Sequence, residues 1–380
     1  MNEFDFIRRL REQTESRKWS PRVIKGIGDD ASVIREAGDR ELIITTDLLV
    51  EGTDFYRDAT SPGFLGHKAL AVSLSDVAAM GGRPRWSMVS IGLPAEIWRN
   101  DFKESFFAGY FALSEQYGVT LVGGDVSESK DQIVIDSILM GEVSTDGAIL
   151  RSTAQPGDQV FVTGNLGGAA AGLRLIEMGA RLSQKSEVRS QESEGDSGQS
   201  VSEGSVGKEE AGSRRESVPV ATGFHYDAKT AEGDAIERLL LHQLQPQPRV
   251  GWGIVLGEER LATAMIDISD GLSSDLGHLC RESNVGALIQ SVSIPFDEDV
   301  RKICGRRALD PLALALHGGE DFELLFTVRS GDITRLPKRV DGIAISCVGE
   351  ITGDPGVRIS ERNHIWELKA AGFEHFRQSK

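Results

Sequence analysis

The sequence predicts an α/β protein of two domains, for three reasons. Segments with helical spacing of apolar residues alternate with strand-like runs along most of the chain. Glycine and proline turns separate them, and 380 residues with 39% hydrophobic content suffice for two ordinary cores. A single serine- and glutamate-rich stretch interrupts the alternation in the second half.

Taken in order, FDFIRRLREQ has helical spacing and ELIITTDLLV reads as a strand. ALAVSLSD carries a helical pattern, WSMVSIGL a strand, NDFKESFFAGYFALSEQYG a helix, and VTLV and QIVIDSILMGEV two more strands. A proline and glycine turn then precedes VFVTGNLGGAAAG, which places a domain boundary near Leu150 and gives domains at 1–150 and 151–380. Residues 181 to 220 hold ten serines among Glu, Gln and Gly, too little apolar surface to offset the entropy of ordering. We therefore expect a disordered insertion at about 182–233. Helical and strand patterns return with IERLLLHQL and PQPRVGWGIVLGEERL and continue to the C-terminus.

Charge excludes several functions. The chain has 42 Lys and Arg against 58 Asp and Glu, a net of −16, and its field repels DNA, RNA and anionic membrane. The insertion region from 181 to 235 accounts for −4 of this, so the folded part is itself acidic. No apolar run approaches the roughly 20 residues that cross a bilayer, and MNEFDFIRRL lacks the pattern of a secretory signal, so the protein reads as cytoplasmic. Cys280, Cys304 and Cys347 are too scattered for a disulfide framework or a zinc site and read as buried free thiols.

Acids recur beside small residues at the ends of apolar runs. Asp29 and Asp30 follow GIG, Asp47 follows Thr45 and Thr46, ALAVSLSD ends in Asp76, VTLVGGD in Asp125, TAMIDISD carries Asp267 and Asp270, and HGGEDF carries Glu320 and Asp321. Each turn alone has an ordinary explanation, because Gly and Asp suit turns and Ser or Asp caps helices. Six together repel one another unless something positive binds them. Mg²⁺ is the natural counter-charge, since it takes oxygen ligands shared between carboxylates and substrate phosphates. Thr45, Thr46 and Ser269 add neutral oxygens, and the glycines let backbone amides approach anions. The pattern suits metal-assisted phosphoryl transfer. Two phosphate-loop lookalikes fail: VFVTGNLGGAAAG lacks GxGxxG in register, and Gly207–Lys208 lies in no P-loop, with Ser202 and Glu209 in place of the required Gly and Ser/Thr.

GIGDDA, TTDLLVEGTDF, GHKALAVSLSDVAAMGG, GGD, DISDGLSSDLGHL and GGEDFELLF, in this order, resemble thiamine-monophosphate kinase, a family of the aminoimidazole ribonucleotide synthetase-like superfamily. The resemblance implies an α/β (α+β) fold with an N-terminal mixed-sheet domain that dimerises and a C-terminal α/β domain. It implies ATP-dependent phosphorylation of thiamine phosphate to thiamine diphosphate with several Mg²⁺ ions. Position by position, Asp30, Thr45, Thr46, Asp47, Asp76, Asp125, Asp267 and Asp270 match metal-binding positions. Gly124, Asp125, Arg151 and Ser269 match ATP contacts, with Phe107 or its neighbour Tyr110 packing on the nucleotide. Asp54, Glu320 and Phe373 match contacts to the thiamine moiety, and Asp47, Asp125 and Arg151 carry the transfer. Asp54 departs from the family, in which His is frequent, and the long insertion departs too. The competing readings are another phosphotransferase of the superfamily, against which the late position of Cys280 excludes a reactive N-terminal thiol, and a non-catalytic nucleotide- or metal-binding regulator.

Overall fold

The computed structural model describes residues 3–15, 20–36, 38–183, 224, 226–307, 309–362 and 364–372. The serine-rich stretch from 184 to 223 and Phe373 lie outside the described residues. Helix α1 (Glu3–Glu15) leads into strands β1 (Val23–Lys25), β2 (Ser32–Arg35) and β3 (Arg40–Val50). Helix α2 (Pro62–Ala79), strand β4 (Arg83–Leu93), the short helix α3 (Ala95–Trp98), helix α4 (Phe102–Tyr117) and strands β5 (Thr120–Glu128) and β6 (Val134–Ser144) follow. These strands form one sheet in the order β1-β2-β3-β6-β4-β5, antiparallel except where β4 meets β5.

After a 3₁₀ turn at Arg151–Thr153 come β7 (Gln159–Thr163), α5 (Gly168–Glu177), α6 (Ala231–Leu244), α7 (Val250–Glu258), β8 (Ala264–Asp267) and α8 (Leu272–Ser283). The chain ends with β9 (Gly286–Gln290), α9 (Glu298–Arg307), α10 (Pro311–His317), β10 (Leu324–Val328), β11 (Arg339–Val340), β12 (Ile343–Thr352), β13 (Gly356–Glu361) and β14 (His364–Glu367). The second sheet runs β14-β13-β9-β12-β7-β10-β8, with β11 beside β12 and only β9 and β13 parallel. Both sheets are mixed and helices pack on them, which is the expected α/β class. Helix α6 begins at Ala231, where Thr230 Oγ1 accepts the Gly233 amide at 3.0 Å, so regular structure starts inside the stretch read as insertion. Cys280 and Cys304 are buried, but Cys347 is exposed because its neighbour Val348 takes the core side of β12.

Helix α2 positions everything else. Pro62 fixes its first turn, and apart from His67, Lys68 and Asp76 its residues are apolar or small on all sides, the pattern of a helix with no solvent face. It is buried from Gly63 to Ala79 except at Asp76. Close approach is possible only through glycine. A Cβ at Gly66 would lie 1.9 Å from Phe106 O, one at Gly109 2.0 Å from Gly63 O, and one at Gly253 2.3 Å from Ala78 O. Thus α4 presses on one side of α2 and α7 on the other. Leu70 and Leu74 of α2 share one core with Phe106, Leu139, Trp252, Leu256 and Phe326, so residues from both sheets meet around this helix. Gly109→Ala is expected to cost at least about 2 kcal/mol of stability, because a methyl group there overlaps backbone that cannot yield. Urea unfolding checks this, and a midpoint like that of the parent chain would contradict the crossing.

Candidate active site

Four separate segments deliver carboxylates to the C-terminal end of α2. The turn between β1 and β2 brings Asp29 and Asp30, the core-facing side of β3 brings Thr45 and Asp47, α2 brings Asp76, and the end of β8 brings Asp267. Asp30, Asp76 and Asp267 each place one carboxylate oxygen within 4.8 Å of the others. Hydroxyls hold these acids in place. Thr45 Oγ1 donates to Asp76, Ser73 Oγ to Asp47 at 2.7 Å, and Ser75 Oγ to Asp267 at 2.7 Å. Arg151 grips Asp30 with Nε at 3.0 Å and Nη2 at 2.5 Å, and its backbone amide reaches Asp29 at 3.2 Å. Lys25 Nζ is 3.0 Å from Asp29.

The cluster is electrostatically expensive. Burial pushes Asp47 up to about 6 against the hydrogen bond from Ser73, and Asp136 and Asp30 raise it further. Burial and then Asp30 push Asp267 up to about 8. Burial, followed by Asp47, Asp267 and Asp30, lifts Asp76 well above the carboxylate range, and burial and Asp30 raise Asp29. Burial works against the charge of Arg151, yet Asp30 and Asp29 outweigh it and raise its pKa. An all-oxygen donor set with this surplus of negative charge fits a hard divalent cation.

The remaining predicted residues fall in three places. Asp270 and Ser269 lie in the turn before α8, whose Asp275 accepts the amides of Asp270 at 3.2 Å and Gly271 at 2.9 Å. Thr46, Gly124 and Asp125 are outside the cluster. Thr46 faces the outer side of the first sheet and donates to Asp136 at 2.6 Å, while Gly124 and Asp125 stand on exposed edge strand β5. Asp54 and Glu320 belong to the opposite end of α2, where Asp54 accepts the Val50 amide at 2.7 Å and Glu320 pairs with Lys68 at 2.6 Å. Of the two candidate aromatics on α4, Tyr110 is fully buried, and Phe107, partly exposed, stacks on Phe111. Sequence reasoning missed Ser73, Ser75, Lys68, Asp136 and Asp275. The signal for the first three was a polar side chain inside an otherwise apolar helix.

The glycine-rich stretch after β7 has a different partner. Asp321 accepts the amides of Gly167 at 2.7 Å and Ala169 at 3.1 Å, so this carboxylate occupies the N-terminus of α5. Burial pushes Asp321 up to about 7, against both of those bonds.

Fold and carboxylate cluster together define a class, and residues 28–143 match the model of the AIR synthase related protein, N-terminal domain. Thiamine-monophosphate kinase of Buchnera aphidicola subsp. Schizaphis graminum is 32% identical over 380 residues, 99% of this chain and 99% of the relative. Thiamine-monophosphate kinase of Escherichia coli (strain K12) is 32% identical, covering 98% of each chain. The solved structure of AaThiL complexed with AMPPCP and TMP superposes with a TM-score of 0.75 at 28% identity, covering 99% of this chain and 97% of that one. The chain belongs to the thiamine-monophosphate kinase family.

The raised carboxylates make a prediction with a definite sign. Their ordinary value is 3.8, so the folded state holds protons that the unfolded chain releases, and stability falls as pH rises through about 6 for Asp47 and about 8 for Asp267. Asp267→Asn is therefore expected to stabilise the chelator-treated protein, by at least about 1 kcal/mol at pH 8 and by less at pH 5. Urea midpoints at the two pH values check this, and equal gains at both would contradict the electrostatic account.

Proposed function

We propose that this chain transfers the γ-phosphoryl group of ATP to thiamine phosphate, giving thiamine diphosphate and ADP. The observation that carries the proposal is the meeting of Asp30, Asp76 and Asp267 at the end of a buried helix, in a chain of this family. Magnesium ions, the cations that best suit an all-oxygen site, would neutralise charge on the phosphates. Asp30, Thr45, Thr46, Asp47, Asp76, Asp125, Asp267 and Asp270 are the proposed ligands. In the transfer, an oxygen of the acceptor phosphate bonds to the γ-phosphorus while its bond to the bridging oxygen of ADP breaks. No side chain needs to remove a proton, because the attacking oxygen is already anionic near neutral pH. Arg151 presents a planar guanidinium to phosphate oxygens, and Gly124, Asp125, Ser269 and Phe107 complete the ATP contacts. Asp54, Glu320 and Phe373 are assigned to the thiamine moiety, whose cationic ring suits carboxylates and an aromatic face.

We further propose a homodimer in which the first sheet is the pairing face, residues 1–150 supply that face, and residues 151–380 close the site. Three cross-strand rows on the outer side support it. Ile44–Met140–Trp86 and Thr46–Ile138–Met88 leave apolar surface uncovered, and Leu48–Asp136–Ser90–Asp125 ends on the unpaired edge. Leu48 is 59% and Trp86 38% exposed, so large apolar side chains stand uncovered on this face, as at a pairing surface. The chain reads as cytoplasmic, and no helix among the described residues is long and apolar enough to cross a membrane.

Two measurements test this function. ADP formation should depend on thiamine phosphate and match thiamine diphosphate one to one by chromatography, and Asp47→Asn should lower turnover about a hundredfold or more while the chain stays folded. ATP consumption without thiamine diphosphate would move the assignment to another acceptor. Trp86→Glu should halve the mass seen by light scattering, and a mass unchanged from the parent would rule out this pairing face.

A further inference from the structure

Eight residues before Asp76 on the same helix, Lys68 is 2% exposed. Its Nζ lies 2.6 Å from Glu320 Oε1 and 3.4 Å from the carbonyl oxygen of Asp54. Gln243 of α6, 5% exposed, donates its amide nitrogen to Glu320 Oε2. Glu320 itself keeps 28% of its side chain exposed. Its backbone is left-handed, with φ 64, and its amide is tied to Ser269 O at 2.8 Å.

Three local costs converge on this one carboxylate. A buried ammonium loses hydration that its partner only partly replaces. A glutamate at positive φ is strained. Gln243, having turned its nitrogen toward Glu320, leaves Oε1 buried with no hydrogen-bond partner among the described residues. Well-packed apolar side chains would serve folding better at all these positions. What the trio achieves instead is a carboxylate held in one orientation, each oxygen keeping a second lone pair for a ligand.

We propose that Lys68 and Gln243 are positioning residues for acceptor recognition: they clamp Glu320 so that its exposed edge meets the cationic ring of thiamine phosphate. The inference rests on the assignment of Glu320 to the thiamine moiety. Helix α2 then serves as a ruler, with Lys68 at the ring end and Asp76 at the phosphate end, about 12 Å apart along its axis. Lys68 and Gln243 accordingly control affinity for thiamine phosphate and not affinity for ATP.

Steady-state kinetics of the full chain, varying thiamine phosphate and ATP in turn, test this. Glu320→Gln, Lys68→Met and Gln243→Leu should each raise the KM for thiamine phosphate about tenfold while the KM for ATP moves less than about twofold. Lys68→Arg should restore part of the loss, and Lys68→Met combined with Glu320→Gln should be no worse than the poorer single variant, because both act through one carboxylate. Should Lys68→Met fail to fold, Gln243→Leu and Lys68→Arg carry the same comparison. A raised KM in Glu320→Gln with none in Lys68→Met or Gln243→Leu would overturn the clamp and leave the Glu320 assignment standing. No change in Glu320→Gln would overturn that assignment and the clamp with it. A parallel rise in the KM for ATP would make Lys68 a general tie between the halves of the chain, which also overturns the proposal.

Discussion

Charge carried on a buried helix has to be answered from outside that helix, and this requirement organises the molecule. Lys68 sits on α2 among side chains with no access to water, and Asp76 is partly exposed toward the acid cluster at the far end of the same helix. The partner of Lys68 is Glu320, and Ser75, next to Asp76, bonds Asp267; both partners come from the second half of the chain. A helix packed by Leu and Ala alone would bind the two sheets just as well but would add no charge-dependent restraint to the glycine crossings that already set its position. With an ammonium at one end and an acid cluster at the other, a shift of one turn would strand a buried charge, at a cost of several kcal/mol.

The same arrangement explains why stability and chemistry oppose each other at the cluster. Asp47, Asp76 and Asp267 are all raised by burial first and by neighbouring carboxylates second, Asp30 among them in each case, so the fold tolerates them at the expense of stability. Hydroxyls from Ser73, Ser75 and Thr45 are the local compensation, each supplying a neutral donor where a second cation would consume the negative charge. Arg151 on Asp30 and Lys25 on Asp29 are the exceptions, two cations placed beside the turn that the opening GIGDD motif forms.

Much of this was legible in the sequence. Strong alternation gave the α/β class, and the recurrence of acids at the ends of apolar runs marked Asp30, Asp76 and Asp267, because so many carboxylates repel one another unless a cation binds them. Sheet pairing was not legible. Strand periodicity reports which side is buried but not which neighbour completes the ladder, so the mainly antiparallel order of both sheets could not be read from it. Nor did spacing along β3 separate Thr45 from Thr46 by role, although adjacent strand residues must face opposite ways, and the two hydroxyls reach Asp76 and Asp136 on opposite sides of the sheet. Lys68 and Gln243 were hidden for another reason: their meaning lies in contacts across 252 and 77 residues of chain.

The turn after β7 shows how a site can be closed by its own protein. Its backbone amides at Gly167 and Ala169 point where an anion would settle, and the Asp321 carboxylate is already there. The chain therefore carries a built-in surrogate for a phosphate, covalently tethered and always at hand. A diffusing nucleotide that tried this turn would have to evict a buried side chain before gaining a single amide. Competition is settled in advance, and the glycine-rich turn stays a structural joint.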